Sequence, residues 1–452
     1  MRRLVVIGGG ISGLAAAWRA KRSAGEAIDV VVLEREAAVG GKARSIARDG
    51  WLVEGGPDGF LGGRPEMERL IEESGLEGER VPAQDAAARR FLFLSGKMRE
   101  VAAGPAFLAS GILSIPGIAR LLVEPFIPRR TDVSDETVWQ FAARRLGAEV
   151  ADRLISPMTL GIFAGDARQL SVQAAFPRMT ALEHQYGSLI KGMIAKRGST
   201  SSGALTSFRE GMQTLPRALA AKGGFTVRCG AAVRSLRKTV SGWEVALASG
   251  GDPVAADGVL LAGEPWAMAP LLRPLDEDAA RDLEGISCPP VAVVALGYRT
   301  AEATGVPNGF GVLIARGEGI RALGNLWESR LYPGRSPEGT VLIRAMFGGQ
   351  VDPAAGALPP AELVAMARAE FARLYGIRAE PVMEEVVRWP RAIPQYALGH
   401  AAKALRIERA AAALGGLFIT GYGMRAIAFA DAASNGALGG ERAAEYCRSR
   451  GG

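Results

Sequence analysis

The chain opens on an apolar run, Leu4-Val5-Val6-Ile7, followed by three glycines and, from about Ser12, an Ala-rich stretch with helical spacing. A second apolar run, Asp29 to Leu33, closes the unit. Short apolar runs bounded by turn signals read as strands, so the first forty residues predict β-α-β. Residues from about 131 to 200 have mainly helical spacing, and the Gly-Ser-Thr-Ser-Ser-Gly stretch from Gly198 to Gly203 reads as a linker beside a domain edge. Phe225 to Val233, Ser235 to Val240 and Trp243 to Ala248 read as short β segments, the last two joined by a Ser241-Gly242 turn. Val259-Leu260-Leu261, 290–299 and 340–347 are further strands, and Pro360 to Tyr375 is a helix. Leu417-Phe418-Ile419, Gly421 and an Ala-rich helix to Tyr446 form a last unit. Between Glu100 and Pro128 the chain is largely apolar, but Pro105, Gly111, Pro116 and Gly117 interrupt it, so no membrane-spanning helix is expected.

A length of 452 residues predicts two to four domains at about 150 residues each. With 48% hydrophobic and 22% charged residues, the composition is that of a globular protein with a large core. The formal charge of +7 comes from scattered basic residues without a run of like charge, which argues against nucleic-acid binding. Three cysteines without CxxC spacing disfavour a disulfide framework or a zinc site and suit a reducing cytoplasm. Two histidines, His184 and His400, leave little material for a His-based metal centre or a Ser-His-Asp triad. Met1-Arg2-Arg3 runs straight into the first strand and does not read as a cleaved signal peptide.

The chemistry-bearing motif is Gly8-Gly9-Gly10-Ile11-Ser12-Gly13, a G-x-G-x-x-G between strand and helix. Its glycines allow a tight turn and close approach of a diphosphate to the helix N-terminus. Glu34 ends the next strand, 21 residues after Gly13, where an acid can accept hydrogen bonds from an adenosine ribose. After Glu34 and Arg35 comes a second glycine pair, Gly40-Gly41, followed by the basic Lys42. This extended pattern resembles the FAD signature of the amine-oxidase-like flavoprotein superfamily.

Other blocks narrow the resemblance. Glu54 to Phe60, Ser156-Pro157 with Gly161 to Asp166, Leu170-Ser171 with Phe176-Pro177, Phe208 to Pro216, and Ile393 to His400 resemble the protoporphyrinogen oxidase family, FAD enzymes of haem synthesis. The similarity runs along nearly the whole chain. It implies an α/β fold: a Rossmann-like FAD-binding domain, a mixed-sheet substrate-binding domain and a helical insertion. The implied pieces are 1–80, 204–265 and 406–452 for FAD, 81–100 and 266–405 for substrate, and 101–203 for the helical, membrane-proximal part.

By the same resemblance, the reaction is a six-electron dehydrogenation of a porphyrinogen. FAD takes hydride and oxygen reoxidises it to give hydrogen peroxide, with no catalytic side chain assigned. The implied FAD-binding residues are Gly8, Gly10, Ile11, Ser12, Gly13, Glu34, Arg35, Gly41, Lys42, Gly56, Pro57, Val233, Trp389, Gln395, Ile427, Ala428 and Phe429. For the substrate, Arg90 resembles the arginine that pairs with a propionate, although Arg89 beside it is an equal candidate by position. Gly161 resembles the position over the macrocycle centre, and Phe310, Leu313 and Met346 the apolar walls around it. No metal is expected.

The chain departs from the family at its C-terminal flavin segment, where Ala426 replaces a glycine and Ala430 an asparagine. Ala426 fits only with negative φ, since a left-handed alanine costs on the order of 1 kcal/mol or more. Coproporphyrinogen III oxidation is the nearest rival and needs cations for four propionates, for which Lys97, Arg178 and Lys191 are candidates. Another flavin oxidase of the superfamily and a non-catalytic flavoprotein are further rivals. The expected partners are a porphyrinogen and molecular oxygen. Peripheral contact of Val101–Pro128 with the inner face of a membrane and a homodimer stay open.

Overall fold

Strand Arg2–Ile7 pairs in parallel with Ile28–Leu33 on one side and Gly258–Leu261 on the other. Thr226–Arg228 and Leu417–Ile419 complete a five-stranded parallel sheet at its two edges. The computed structural model describes residues 1–102, 104–132, 134–196 and 203–449, so all but Gly203 of the linker expected at 198–203 lies outside the described residues.

Side chains alternate across a strand, and this one rule divides the core in two. Leu4, Val6, Val30, Val32 and Leu260 pack against helices Ile11–Ala24 and Phe429–Ser449. Val5, Ile7, Val31, Leu33, Val259 and Leu261 turn the other way, toward helices Pro265–Leu272, Glu277–Glu284 and His400–Ala413 and the antiparallel strands Val233–Lys238, Trp243–Leu247 and Val254–Ala256. The two helices of the first face meet backbone to backbone. A Cβ on Gly436 would lie 2.1 Å from the Ser12 carbonyl oxygen, and one on Gly440 2.0 Å from that of Ala16.

The second large sheet has seven strands in the order Met383–Trp389, Val291–Arg299, Thr340–Gly348, Gly324–Leu326, Gly311–Ile314, Arg90–Leu94, Lys97–Glu100. Only the pairing of Gly311–Ile314 with Arg90–Leu94 is parallel within it. One face, with Phe91, Phe93, Val294, Leu296, Val312, Ile343 and Phe347, is covered by helix Pro360–Tyr375. The opposite face carries Arg90, Leu92, Val291, Val293, Gly311, Leu313, Arg344 and Met346, which line a cavity.

Above that face lies helix Ser156–Phe163, entered through a wide π turn at Ala151–Ile155. It belongs to a helical segment pinned by the fully buried Glu124–Arg145 ion pair. Glu124 accepts from Ser188 Oγ at 2.5 Å and the Leu189 N–H at 2.9 Å, while Arg145 donates to the carbonyls of Ile127 and Gly187. With no charge left unpaired, the pin holds without leaving a desolvated ion.

The β segment expected over Phe225–Val233 is two elements. Gly230, at φ +67°, turns the chain so that Thr226–Arg228 joins the parallel sheet while Val233 starts the antiparallel one. The α/β fold class and the βαβ start are as expected from sequence, the first helix beginning at Ile11 and the second strand at Ile28.

Candidate functional site

One continuous cavity of about 2710 Å3 runs from the carboxyl ends of the parallel strands across the open face of the seven-stranded sheet. A ligand pocket usually occupies roughly 300–1,000 Å3, so the volume suits two ligands end to end.

At the first end, Gly8 takes φ +115° and passes so close to the next strand that a Cβ would lie 2.9 Å from the Ala262 carbonyl oxygen. A Cβ on Gly10 would meet nothing within 4 Å, so this side of the turn stands open. The helix that begins at Ile11 has no side-chain cap and no acid in its first turn. Its free N–H groups and positive dipole end are therefore available to an anion. Glu34, buried beside them, accepts from the N–H groups of Gly9 at 2.5 Å and Glu36 at 2.7 Å. Gly9 was not singled out in the sequence, yet a Cβ there would sit 2.8 Å from that of Glu34. The signal was present in the middle glycine of the Gly8-Gly9-Gly10 run.

Among the expected residues, Gly8, Gly10, Ile11, Ser12, Glu34, Arg35, Gly41, Lys42, Gly56, Pro57, Val233, Trp389, Ile427, Ala428 and Phe429 all line the cavity. Gly13 and Gln395 are not in the lining. Gly13 is a packing residue, since a Cβ would lie 1.9 Å from the Gly8 carbonyl oxygen. Gln395 is buried behind the wall, its Nε2 donating to the carbonyls of Phe163 and Ile393 at 2.9 Å each. Its place in the sequence brings it to the cavity-carrying segment, but the amide fastens the end of the 156–163 helix.

Midway along the cavity, Trp389 Nε1 donates to the Gly55 carbonyl at 2.6 Å. Lys42 lies 5.2 Å from the Trp389 ring centre and 5.7 Å from that of Tyr422, pairs with Glu264, and donates to the Arg391 carbonyl at 3.0 Å. Burial brings the Lys42 ammonium down to about 8. The stretch from Arg425 to Ala432 closes this region, and its helix starts at Phe429 with the N-terminus on the cavity. The only non-glycine residues with positive φ among those described are Asp49, Ser95 and Ala164, so Ala426 meets the condition that replacing glycine imposed. Behind this stretch the His400 ring stacks on Tyr396 at 3.8 Å and its Nε2–H donates to the Met424 carbonyl. Burial pulls that imidazole down to about 4, so it stands neutral.

At the far end, Arg90, Phe310, Gly161, Leu313 and Met346 come together on the sheet face and the helix above it. The two neighbouring arginines separate as strand alternation requires. Arg89 donates to Glu100 and the Asn308 carbonyl outside, whereas the Arg90 side chain lies over the Phe310 ring at 5.3 Å and has no hydrogen bond or ion pair among the described residues. A Cβ on Gly161 would come 2.4 Å from Leu313 Cδ2, so helix and sheet are in contact at this point and leave no room for a side chain there. Lys97, Arg178 and Lys191 are not part of the lining.

Beneath the middle of the cavity lies a charged cluster that sequence reading missed. Arg344 donates to the carbonyls of Glu54 at 2.8 Å and Gly56 at 2.7 Å, pairs with Glu328 at 2.6 Å and stands 3.6 Å from Asp58. Arg335 approaches Glu54 at 3.5 Å. Burial pushes the Glu54 carboxyl up to about 7, against the pull of Arg335, and burial also raises Glu328. The cluster holds the Glu54–Asp58 turn under the cavity through its own backbone.

The family model for flavin containing amine oxidoreductases matches residues 11–447. The coproporphyrinogen III oxidase of Bacillus subtilis (strain 168) is 28% identical over 96% of each chain. The chloroplastic protoporphyrinogen oxidase of Oryza sativa subsp. japonica is 34% identical over 92% of this chain and 83% of its own. The crystal structure of a protein from Exiguobacterium sp. 255-15 superposes with a TM-score of 0.86 at 22% identity, covering 99% of both chains.

Proposed function

The chain belongs to the flavin-containing amine oxidoreductase family, and we propose that within it this protein is the oxygen-dependent oxidase of protoporphyrinogen IX, giving protoporphyrin IX. It is an FAD-dependent oxidoreductase. When bound, FAD supplies hydride acceptance and reoxidation by oxygen, so three two-electron rounds consume three O2 and release three H2O2. The open glycine turn and Glu34 fit the adenosine diphosphate half of this cofactor, and the Trp389, Gly56 and Ile427–Phe429 walls fit its ring half.

The observation that carries the substrate reading is one unpaired cation on an apolar wall. Among the described residues, Arg90 is the arginine of the far end that has no partner, beside Phe310, Leu313, Met346 and the bare backbone of Gly161. A flat apolar macrocycle with its propionates to one side suits that distribution, since the guanidinium fork forms a charge-assisted pair with a carboxylate while the rest of the ring meets carbon. Four propionates spread around the ring would need more cations than this wall offers.

Anaerobic mixing of the yellow holoenzyme with protoporphyrinogen IX and, separately, with coproporphyrinogen III tests the reading by bleaching of the flavin band. Faster bleaching by coproporphyrinogen III would move the assignment to the reaction named for the Bacillus relative. No bleaching by either would remove it in favour of another flavin oxidase or a non-catalytic flavoprotein. Arg90→Ala should raise KM for the porphyrinogen by about 10- to 100-fold with kcat little changed, because a charge-assisted bond made equally in ground and transition states is worth about 1.5–3 kcal/mol. A loss confined to kcat would contradict propionate binding.

We also propose peripheral attachment to a lipid surface. Ile115 and Phe126 are 85% and 80% exposed, and Leu122, Val123, Met193 and Ile194 are exposed beside them on elements joined through the Glu124 pin. No helix among the described residues is long and apolar enough to cross a membrane. Vesicles of phosphatidylcholine with added phosphatidylglycerol should co-sediment the protein, and the pair of changes Ile115→Asp and Phe126→Asp should weaken that binding at least tenfold, given roughly 1.5–3 kcal/mol per buried apolar side chain. Equal binding by the variant would exclude this patch.

A further inference from the structure

Three cations gather beside the glycine turn, and two of them share one indole. The Arg35 guanidinium carbon lies 5.0 Å from the Trp266 ring centre and that of Arg391 lies 4.7 Å from it. The third cation is Lys42, tied to Glu264 two residues before Trp266 and to the Arg391 carbonyl. Trp266 stands in the first turn of helix Pro265–Leu272, reached through Ala262 and Gly263, the residues that a Cβ on Gly8 would strike. All of these residues line the cavity. The carboxylates that answer them are Glu264, held by Lys42, and Glu36, which pairs with Arg35 at 3.0 Å. The Arg391 side chain is exposed and has no carboxylate partner among the described residues. Buried Trp266 Nε1 has no hydrogen-bond partner either.

Like charges are brought to one place at a cost unless something of opposite sign completes them. Here the indole face holds two guanidiniums through its quadrupole, next to an uncapped helix N-terminus that already favours an anion. We infer that Trp266, with Arg35 and Arg391 on its ring, forms a clasp over the diphosphate of bound FAD, and that Arg391 carries a cofactor contact supplied from the far side of the chain. Arg391 follows the last residue pair of strand Met383–Trp389, so the clasp ties the seven-stranded sheet to the nucleotide-binding turn.

The test is the rate of FAD release, followed as the rise of free-flavin fluorescence after dilution of the holoenzyme, with ADP binding to the apoprotein as the second probe. Arg391→Gln should release FAD about tenfold faster and weaken ADP by a similar factor. Its affinity for FAD should also depend less on salt between 50 and 500 mM, because about one screened contact to the diphosphate is gone. Trp266→Ala should exceed that effect and Trp266→Phe should recover most of it, since a phenyl ring still offers a face. If Trp266→Ala does not fold, the exposed Arg391 variant decides alone. FAD release and salt dependence equal to wild type in Arg391→Gln would overturn the clasp. Weakened FAD with unchanged ADP would overturn its placement on the diphosphate.

Discussion

Gly440→Val is expected to yield protein that neither binds flavin nor melts cooperatively at the wild-type temperature. The Cβ of any residue at this position would lie 2.0 Å from the Ala16 carbonyl oxygen and 2.6 Å from that residue's Cα and carbonyl carbon. Those atoms belong to the middle of helix Ile11–Ala24, whose next turns carry the fully buried Trp18. Neither helix can yield locally, because both rest on the parallel sheet through Leu4, Val6 and Leu260. Overpacking a well-filled core costs typically 1–3 kcal/mol where side chains can adjust, and a contact with backbone belongs at or above the top of that range, about 3 kcal/mol or more. The helix that would be displaced is the one whose first residues line the cavity at Ile11 and Ser12, so flavin binding should go with stability. Gly78 is the control: a Cβ there would meet nothing within 4 Å, and Gly78→Ala should leave melting temperature and flavin content unchanged. Wild-type flavin content in Gly440→Val would show that the two helices can separate without cost.

Arg344→Met should destabilise the protein by about 3–5 kcal/mol at pH 8 and by clearly less at pH 5. The guanidinium is almost wholly buried and serves four groups, the carbonyls of Glu54 and Gly56 and the carboxylates of Glu328 and Asp58. Without it, buried Glu328 loses its ion-pair partner and keeps only the weaker pull of Arg335. The sign of the pH effect follows from the carboxyls left behind. Burial already holds Glu54 at about 7, above its ordinary 4.5, and raises Glu328, and removal of a neighbouring cation raises both further. A carboxyl with a raised folded-state value contributes most below its unfolded value and loses that contribution as pH climbs through the folded one. The gap between variant and wild type should therefore widen between about pH 5 and pH 8, read from denaturation midpoints across that range. Adding Glu328→Gln should return part of the loss. An equal gap at both pH values would assign the damage to the two carbonyls instead of the charges.

The glycine turn and its acid were legible because their geometry is local. A strand, three glycines, a helix and Glu34 specify one another within a single βαβ unit. The blocks shared with the porphyrinogen oxidase family likewise pointed to the far end of the cavity. Strand alternation then separates Arg90 from Arg89, which no count of residues could do while the edges of Arg90–Leu94 were unknown. Other features depend on registers between distant segments. Arg344 reaches Gly56 because Thr340–Gly348 lies in the sheet beneath the Glu54–Asp58 turn, and Arg391 reaches Trp266 because strand Met383–Trp389 ends beside it. Gln395 reads as a wall residue from its motif, but its amide is bound to the Phe163 carbonyl at the end of the 156–163 helix and to the Ile393 carbonyl, behind the cavity wall. Ala426 reads as a defect only if glycine's positive φ is needed there, and the backbone does not use it.

The parallel sheet has a further consequence, for synthesis. Its central strand Arg2–Ile7 finds Ile28–Leu33 almost at once, but its other neighbour is Gly258–Leu261, and that strand waits for Leu417–Ile419. The helix that packs on Ile11–Ala24, Phe429–Ser449, follows later still. On the ribosome the first half of the nucleotide site is therefore made early and left with a bare apolar face and an unpaired strand edge through most of translation, the kind of surface that chaperones bind and proteases find. Cofactor capture is therefore expected only once Phe429–Ser449 has been synthesised. A product truncated before residue 417 would lack the last strand and its covering helix, and so would be cleared instead of accumulating as a weakly active apoprotein.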